Sequence, residues 1–299
     1  MTMGVTAFAS LVGSGGGALI MPILLLLYPG KDQMALTFIS LFAVLLNSVA
    51  ATLHYARMKR IDYRTGLILG LCTIPTSAAA RFALRGVDRS QFSRGFGFVL
   101  IGIGLFIIWR MVRKAGKTDS LPPELKPHWF KRRIVDSSGT VYEYAYNLRF
   151  GAGTAVAEGF MASFLGIGGG VLVMPMLTQL LHCPAHVAAS TSMMMLSITA
   201  LVGLLTDLFH HAATGTLNAL PVTMALAAGV GALIGAQIGP RLSKRVSAER
   251  LLVLLSCAVI LAGGRLALSP NHPEPPPEPA PDQRDTQPLN SSMTKTRAK

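Results

Sequence analysis

Doubled glycines, a few hydroxyls and a handful of ionisable groups are the residues of this chain able to do chemistry, and the chemistry they suit is the holding of an anion. Gly13, Gly15, Gly16 and Gly17 recur as Gly166, Gly168, Gly169 and Gly170 within two nearly identical stretches, 9–22 and 162–175, at a constant offset of 153 residues (Gly13 to Gly166). A glycine is about 1 kcal/mol poorer than alanine as a helix former, so each motif is expected to interrupt its helix near mid-bilayer. The piece after the break is then a new helix N-terminus, whose unpaired amides attract anions. Met21-Pro22 and Met174-Pro175 follow a turn later and predict a second kink. One such motif would serve close helix packing; two at matching positions point to a shared central site.

Ser190, Thr191 and Ser192 open an apolar run, and Thr37, Ser40 and Asn47 are their counterparts in the first copy. These neutral donors can hold an oxyanion without a buried positive charge, although such side chains also cap helices or bond to their own backbone. Arg81 and Arg241, near segment ends, are expected to steer an anion from the interface. Glu158 and Asp207 are the acidic residues inside apolar runs, where a charge costs roughly 2.5–3.5 kcal/mol. Each is a candidate for proton coupling; an interfacial position, shared with His54, His210 and His211, is the reading we favour for them.

His182, Cys183 and His186 with His210 and His211 have metal-ligand character. The two groups fall in loops expected on opposite membrane faces, so no metal site and no cofactor is expected. Cys72, Cys183 and Cys257 are far apart and suit buried, small apolar positions. No nucleophile elbow, paired carboxylate or His-Glu-x-x-His pattern marks an enzyme.

The elements that must position these residues are membrane helices. Half the chain is hydrophobic (51%) and only 14% is charged, against about a quarter in soluble domains. The net charge of +13 lies between apolar runs, which indicates topology and no nucleic-acid partner. A span needs about 20 apolar residues, and eight segments qualify: 3–28, 34–56, 65–84, 91–112, 147–181, 185–209, 217–240 and 250–269. The expected fold is therefore all-α, two four-segment repeats (1–112 and 147–269), the first helix of each broken by glycine. Residues 113–146 form a basic connector, and the proline-rich residues 270–299 a disordered tail.

The loops after segments two, four and six hold thirteen Lys and Arg against nine in the other set, which places the connector and both termini in the cytoplasm. No cleavable signal peptide is evident, and because Met1 matches Thr154 by the offset, the first helix is expected to lack about two turns of its twin. Four crossings per half predict repeats related by an axis along the membrane normal. A half-crossing within the fifth segment, whose 35 residues make about 50 Å of helix, would invert them.

The paired Gly-x-Gly-Gly-Gly motifs with their Met-Pro followers, the run Ala188-Ala189-Ser190-Thr191-Ser192, and Arg57 to Arg64 with Ile61-Asp62-Tyr63-Arg64 resemble the sulfite exporter TauE/SafE family of bacterial membrane transporters over residues 1–269. The resemblance implies movement of small sulfur-containing or organic anions, such as sulfite, thiosulfate or sulfonates, across the inner membrane, driven by an ion gradient. The alternative is a membrane scaffold or assembly protein without transport activity. The implied partners are a small anion and the lipid bilayer, and a homo-oligomer is compatible with both readings.

Overall fold

The computed structural model describes residues 17–28, 30–114 and 129–243, together with isolated positions between 256 and 268. Its helices are α1 (Gly17–Leu27), α2 (Gln33–Arg57), α3 (Tyr63–Leu84), α4 (Arg89–Lys114), α5 (Leu148–Leu165), α6 (Gly170–Pro175), α7 (Ala185–Ala213) and α8 (Val222–Ser243). Side chains set several of the starts. Asp32, Asp62 and Asn147 accept from the amides of Met34, Thr65 and Arg149, satisfying donors that a first turn leaves open. Among the described residues, Gln33–Arg57, Tyr63–Leu84 and His186–Ala213 are long and apolar enough to cross a membrane, and Val222–Ile234 is a shorter apolar helix.

The connector departs from the all-α expectation. Strands β1 (Phe130–Val135) and β2 (Val141–Tyr146) pair antiparallel, Phe130 opposite Tyr146 and Val135 opposite Val141. Phe130, Ile134, Tyr142, Tyr144 and Tyr146 pack into the cluster that holds Leu69, Ala155, Leu177 and Leu196. A second cluster joins α1, α2, α4 and α8 through Leu24, Leu36, Phe96 and Ala228.

The directions of the helices follow from which ends meet. At the hairpin face, Ser137 donates its amide to Met58 O at the end of α2, and Ser190 in the second turn of α7 donates to Arg60 O. At the opposite face, Arg81 near the end of α3 bonds both Thr37 near the start of α2 and Asp207 in the late turns of α7. Helices α2 and α7, expected to correspond in two repeats, therefore run antiparallel, and the parallel arrangement expected from four crossings per half does not hold for them.

The physical reason lies in the fifth segment. Gly166, Gly168 and Gly169 all have positive φ (+66°, +66° and +77°), a left-handed geometry that costs an L residue about 1–2 kcal/mol and glycine almost nothing. The chain reverses there, and Leu181 returns to pack on Gly151 in the first turn of α5. Residues 147–181 thus begin and end on the hairpin face and do not cross. After Pro175, which cannot continue the hydrogen-bond ladder, the helix passes into a π-helical turn, Met176–Leu180; in the first copy Pro22 is accommodated inside α1.

The reversal also reassigns the later loops. Residues 213–217 lie on the face opposite the connector, where the charge count expected them beside it. Near the C-terminus, Gly104 lies against Ile260 and Gly263 against Gly97 and Leu100, so that stretch runs antiparallel to α4 and ends opposite the hairpin. The described positions between 256 and 268 therefore head toward the face opposite the hairpin, whereas the C-terminus itself, expected on the connector's face, lies outside the described residues.

Candidate functional site

The glycine turn of the second copy is buried at the centre of the bundle. Gly166 abuts Thr37, Gly168 abuts Val44, and Gly169 abuts Glu158 and Ala162 so closely that a Cβ on any of them would overlap its neighbour. Ser40 Oγ donates to Gly166 O at 2.6 Å, tying the turn to α2. Leu172 and Val173 both donate to Gly169 O at 2.8 Å, opening α6 at Gly170. Asn47 is buried further along α2. Gly13, Gly15 and Gly16 lie outside the described residues; Gly17 begins α1.

Glu158 is the unexpected member. It is 5% exposed in the middle of α5, and neither carboxyl oxygen has a partner among the described residues. The interfacial position we favoured is overturned. Its helix starts at Leu148, so ten residues of rise carry it about 15 Å inward.

From this depth toward the opposite face runs a ladder of hydroxyls ending in an ion pair. Thr73 and Thr199 hydroxyls meet at 3.0 Å, Ser77 bonds Ser163 and donates to Thr199 O at 3.1 Å, and Arg81 bonds Asp207 through Nε (3.0 Å) and Nη2 (2.5 Å). Arg81 Nη1 also donates to Thr37 Oγ1 at 2.8 Å and to Ser163 O at 3.4 Å. Arg81 is wholly buried and committed to four acceptor atoms, so the interfacial steering role expected of it is corrected. Asp207, likewise expected at the interface, is buried and paired, and is not a free proton carrier. Arg241 lies in the last turn of α8, toward the hairpin face.

The hydroxyls of Ser190, Thr191 and Ser192 do not join the glycine turn. They open α7 at the hairpin face, where Ser190 donates to backbone carbonyls, Ser192 donates to Ala189 O, and Thr191 Oγ1 accepts from the Asp62 amide. Thr37 and Thr191 therefore belong to opposite ends of the bundle. His186, facing Tyr142, and His210, bonded to Arg85, are also at opposite ends, and Cys183 is buried beside Tyr144, where burial pushes its thiol up to about 12.

Asp62 organises the hairpin end. Its carboxylate accepts from Arg132 (2.5 and 2.7 Å), Tyr144 (2.7 Å) and Thr65 (2.8 Å), while Tyr146 donates to Thr65 Oγ1 at 3.0 Å. Burial pushes the Asp62 carboxyl up, but the bonds from Arg132, Tyr144 and Thr65 together outweigh it and hold it below the usual range. At the hairpin turn, Ser138 and Thr140, with Arg60 from the α2–α3 loop, hold Asp136 down at about 2. Both folded values are depressed, so their contribution to docking is full above the ordinary carboxylate value of 3.8 and is lost as pH falls through the lowered values. Amide protection factors over 130–146 are expected to stay level from neutral pH to about 4 and to fall below that. Loss of protection already at mildly acidic pH would contradict the assignment.

Thr73, Ser77, Ser163, Thr199 and Asp62 were not singled out by type. A signal was present for two of them: Thr73 and Ser77 recur at four-residue steps with Arg81, which places all three on one face of α3.

A bundle of apolar helices enclosing a polar seam and a glycine-broken, doubled-back segment defines a class, the multi-pass helical membrane transporters. The family described as Sulfite exporter TauE/SafE matches residues 1–266, and the chain belongs to it. It is 27% identical over 263 residues to the probable membrane transporter protein YunE of Bacillus subtilis, covering 86% of this chain and 91% of that one. It is 22% identical over 262 residues to a probable membrane transporter protein of Methanocaldococcus jannaschii, covering 85% and 88%. No solved structure matches the chain significantly.

Proposed function

We propose that this chain is a secondary transporter of small sulfur-containing or organic oxyanions, of the sulfite, thiosulfate and sulfonate type, driven by an ion gradient across a bacterial inner membrane. The observation that carries the reading is the antiparallel course of α2 and α7, helices that hold the same place in the two copies of the sequence. Halves of opposite direction supply two equivalent mouths, and alternating access follows when one half rocks against the other. The halves are 1–112 and 147–269.

The substrate site we assign is the Gly166–Gly170 turn with Thr37 and Asn47, together with the matching motif Gly13 to Gly17. Ser190, Thr191 and Ser192 hold the corresponding place in the second half, at the other mouth. Neutral donors suit an oxyanion that must also be released, and the buried cation beside Thr37, Arg81, is balanced by Asp207. The hairpin face carries Arg57, Lys59, Arg60, Arg64 and the basic connector, and on the positive-inside rule we assign it to the cytoplasm.

Purified protein in proteoliposomes is expected to accumulate thiosulfate, sulfite or sulfoacetate in response to an imposed ion gradient and to leave acetate behind. Labelling is expected to find Lys131 and the C-terminal tail on opposite faces. A folded, correctly inserted protein that moves none of these anions would return the reading to a scaffold.

A further inference from the structure

Among the buried carboxylates Asp62, Asp136, Glu158 and Asp207, three are bonded to an arginine: Asp62 to Arg132, Asp136 to Arg60 and Asp207 to Arg81. Glu158 is the exception, with both oxygens buried and unpartnered among the described residues. It lies beside the glycine turn, its Oε1 pressed against Gly169. The next residue, Gly159, lies against Thr73 and the Thr76 hydroxyl of α3.

The charged groups on the surrounding elements are few. Arg81 of α3 and Asp207 of α7 are bound to each other at the level of Ser163, five residues or about 7.5 Å along α5 from Glu158. Helix α2 presents Thr37 and Val44 to the turn, while α6 and the π-helical turn contain no ionisable residue. A carboxylate left ionised at this depth without a partner is strongly unfavourable. The acid form removes that penalty, so this closed arrangement suits a neutral Glu158.

We propose that Glu158 is the proton carrier of the transport cycle: it takes up a proton from the open mouth, holds it while the anion occupies the glycine turn, and gives it up with the anion on the other side. The inference rests on the anion-transport reading above. In the step itself a carboxylate and a proton become a carboxylic acid, and no other bond is made or broken. An ionised Glu158 would repel an anion held at Gly166–Gly170 a few ångströms away, so protonation is the condition for anion entry. Coupling then follows from electrostatics, without a second ion site. Glycine at 169 is what lets the carboxyl lie against the backbone of the turn, because any side chain there would displace it.

The test uses full-length protein in proteoliposomes carrying a trapped pH dye, with thiosulfate as probe because it stays ionised throughout the working pH range. In the wild type an inward thiosulfate gradient should acidify the lumen. Glu158→Gln, a permanent mimic of the neutral acid, should make thiosulfate/thiosulfate exchange independent of pH. The same variant should show no lumen acidification and at least a tenfold loss of accumulation driven by a pH gradient.

Unchanged proton flux in Glu158→Gln overturns the assignment, as does a wild type that moves thiosulfate with no proton; both leave the transport reading standing. A wild type that neither exchanges nor accumulates thiosulfate, sulfite or sulfoacetate removes that reading and this one together. Should Glu158→Gln fail to fold, the infrared spectrum of the wild type decides. A protonated-carboxyl C=O band that shifts on adding thiosulfate is expected, since each of the other buried carboxylates named above is bonded to an arginine, and its absence overturns the proposal.

Discussion

Gly169→Ala is expected to abolish anion uptake, while Gly139→Ala leaves it close to wild type. Both positions are left-handed, φ +77° and +83°, so the backbone cost of an L residue, about 1–2 kcal/mol, is common to the two. Space separates them. A Cβ at Gly139 meets nothing within 4 Å, whereas at Gly169 it overlaps Glu158 Oε1 and comes within 2.9 Å of the Ala162 Cβ. One methyl group must then push Glu158 out of the turn or prise α6 from α5. Thiosulfate uptake per inserted molecule is expected to fall at least about tenfold, equivalent to about 1.4 kcal/mol in the transport barrier. Adding Glu158→Ala to Gly169→Ala makes room and should recover melting temperature without recovering gradient-driven accumulation. Wild-type uptake by Gly169→Ala would show that the turn has slack and that its tight packing is not part of function.

Breaking the Arg81–Asp207 pair from one side is expected to be the most destabilising single change in the bundle. Arg81→Met strands the Asp207 carboxylate, which is 2% exposed, and removes a donor from Thr37 and from Ser163 O. Loss of one partner of a buried ion pair costs about 3–5 kcal/mol, which lowers the melting temperature by on the order of 10 °C in a chain of this size. Asp207→Leu should do the same by leaving the guanidinium unpaired. The double variant Arg81→Met with Asp207→Leu is expected to recover most of the loss, because two apolar side chains avoid the desolvation that the pair has to offset. Thermal unfolding in detergent, read as a double-mutant cycle, checks this: a coupling energy near zero would mean that the pair is solvated. Transport separates the two roles of the pair. If it only braces α3 against α7, the double variant transports; if it gates the opposite mouth, stability returns and uptake does not.

Much of the design was legible in the chain itself, at the points where the physics is local. The glycines of 166–169 admit left-handed backbone at almost no cost and are poor helix formers, so a break after Leu165 could be expected from residue type. Pro175 forbids a regular continuation and the structure answers with a π-helical turn, while Asp32, Asp62 and Asn147 mark helix starts because their side chains reach their own first-turn amides. The β-hairpin was also within reach: Phe130 and Ile134 share one face of the first strand, and Tyr142, Tyr144 and Tyr146 recur with period two in the second, around a Ser-Ser-Gly turn. Its many charges led instead to the reading of a plain polar connector.

The sequence thus determined by itself that the chain is a membrane protein, that a glycine-rich stretch recurs at an offset of 153 residues, and where its helix can break, since hydropathy, motif recurrence and glycine geometry are properties of a segment. Only the tertiary structure decided that residues 147–181 double back, that α2 and α7 oppose each other, that Arg81 reaches Asp207 across 126 positions, and that Glu158 is deep and without a partner among the described residues. A mainly apolar segment of 35 residues, 147–181, has the same hydropathy whether it crosses a bilayer or turns back within it. A carboxylate likewise carries no mark of its partner, because pairing is settled by which helices face each other, and that follows from the packing of the whole bundle.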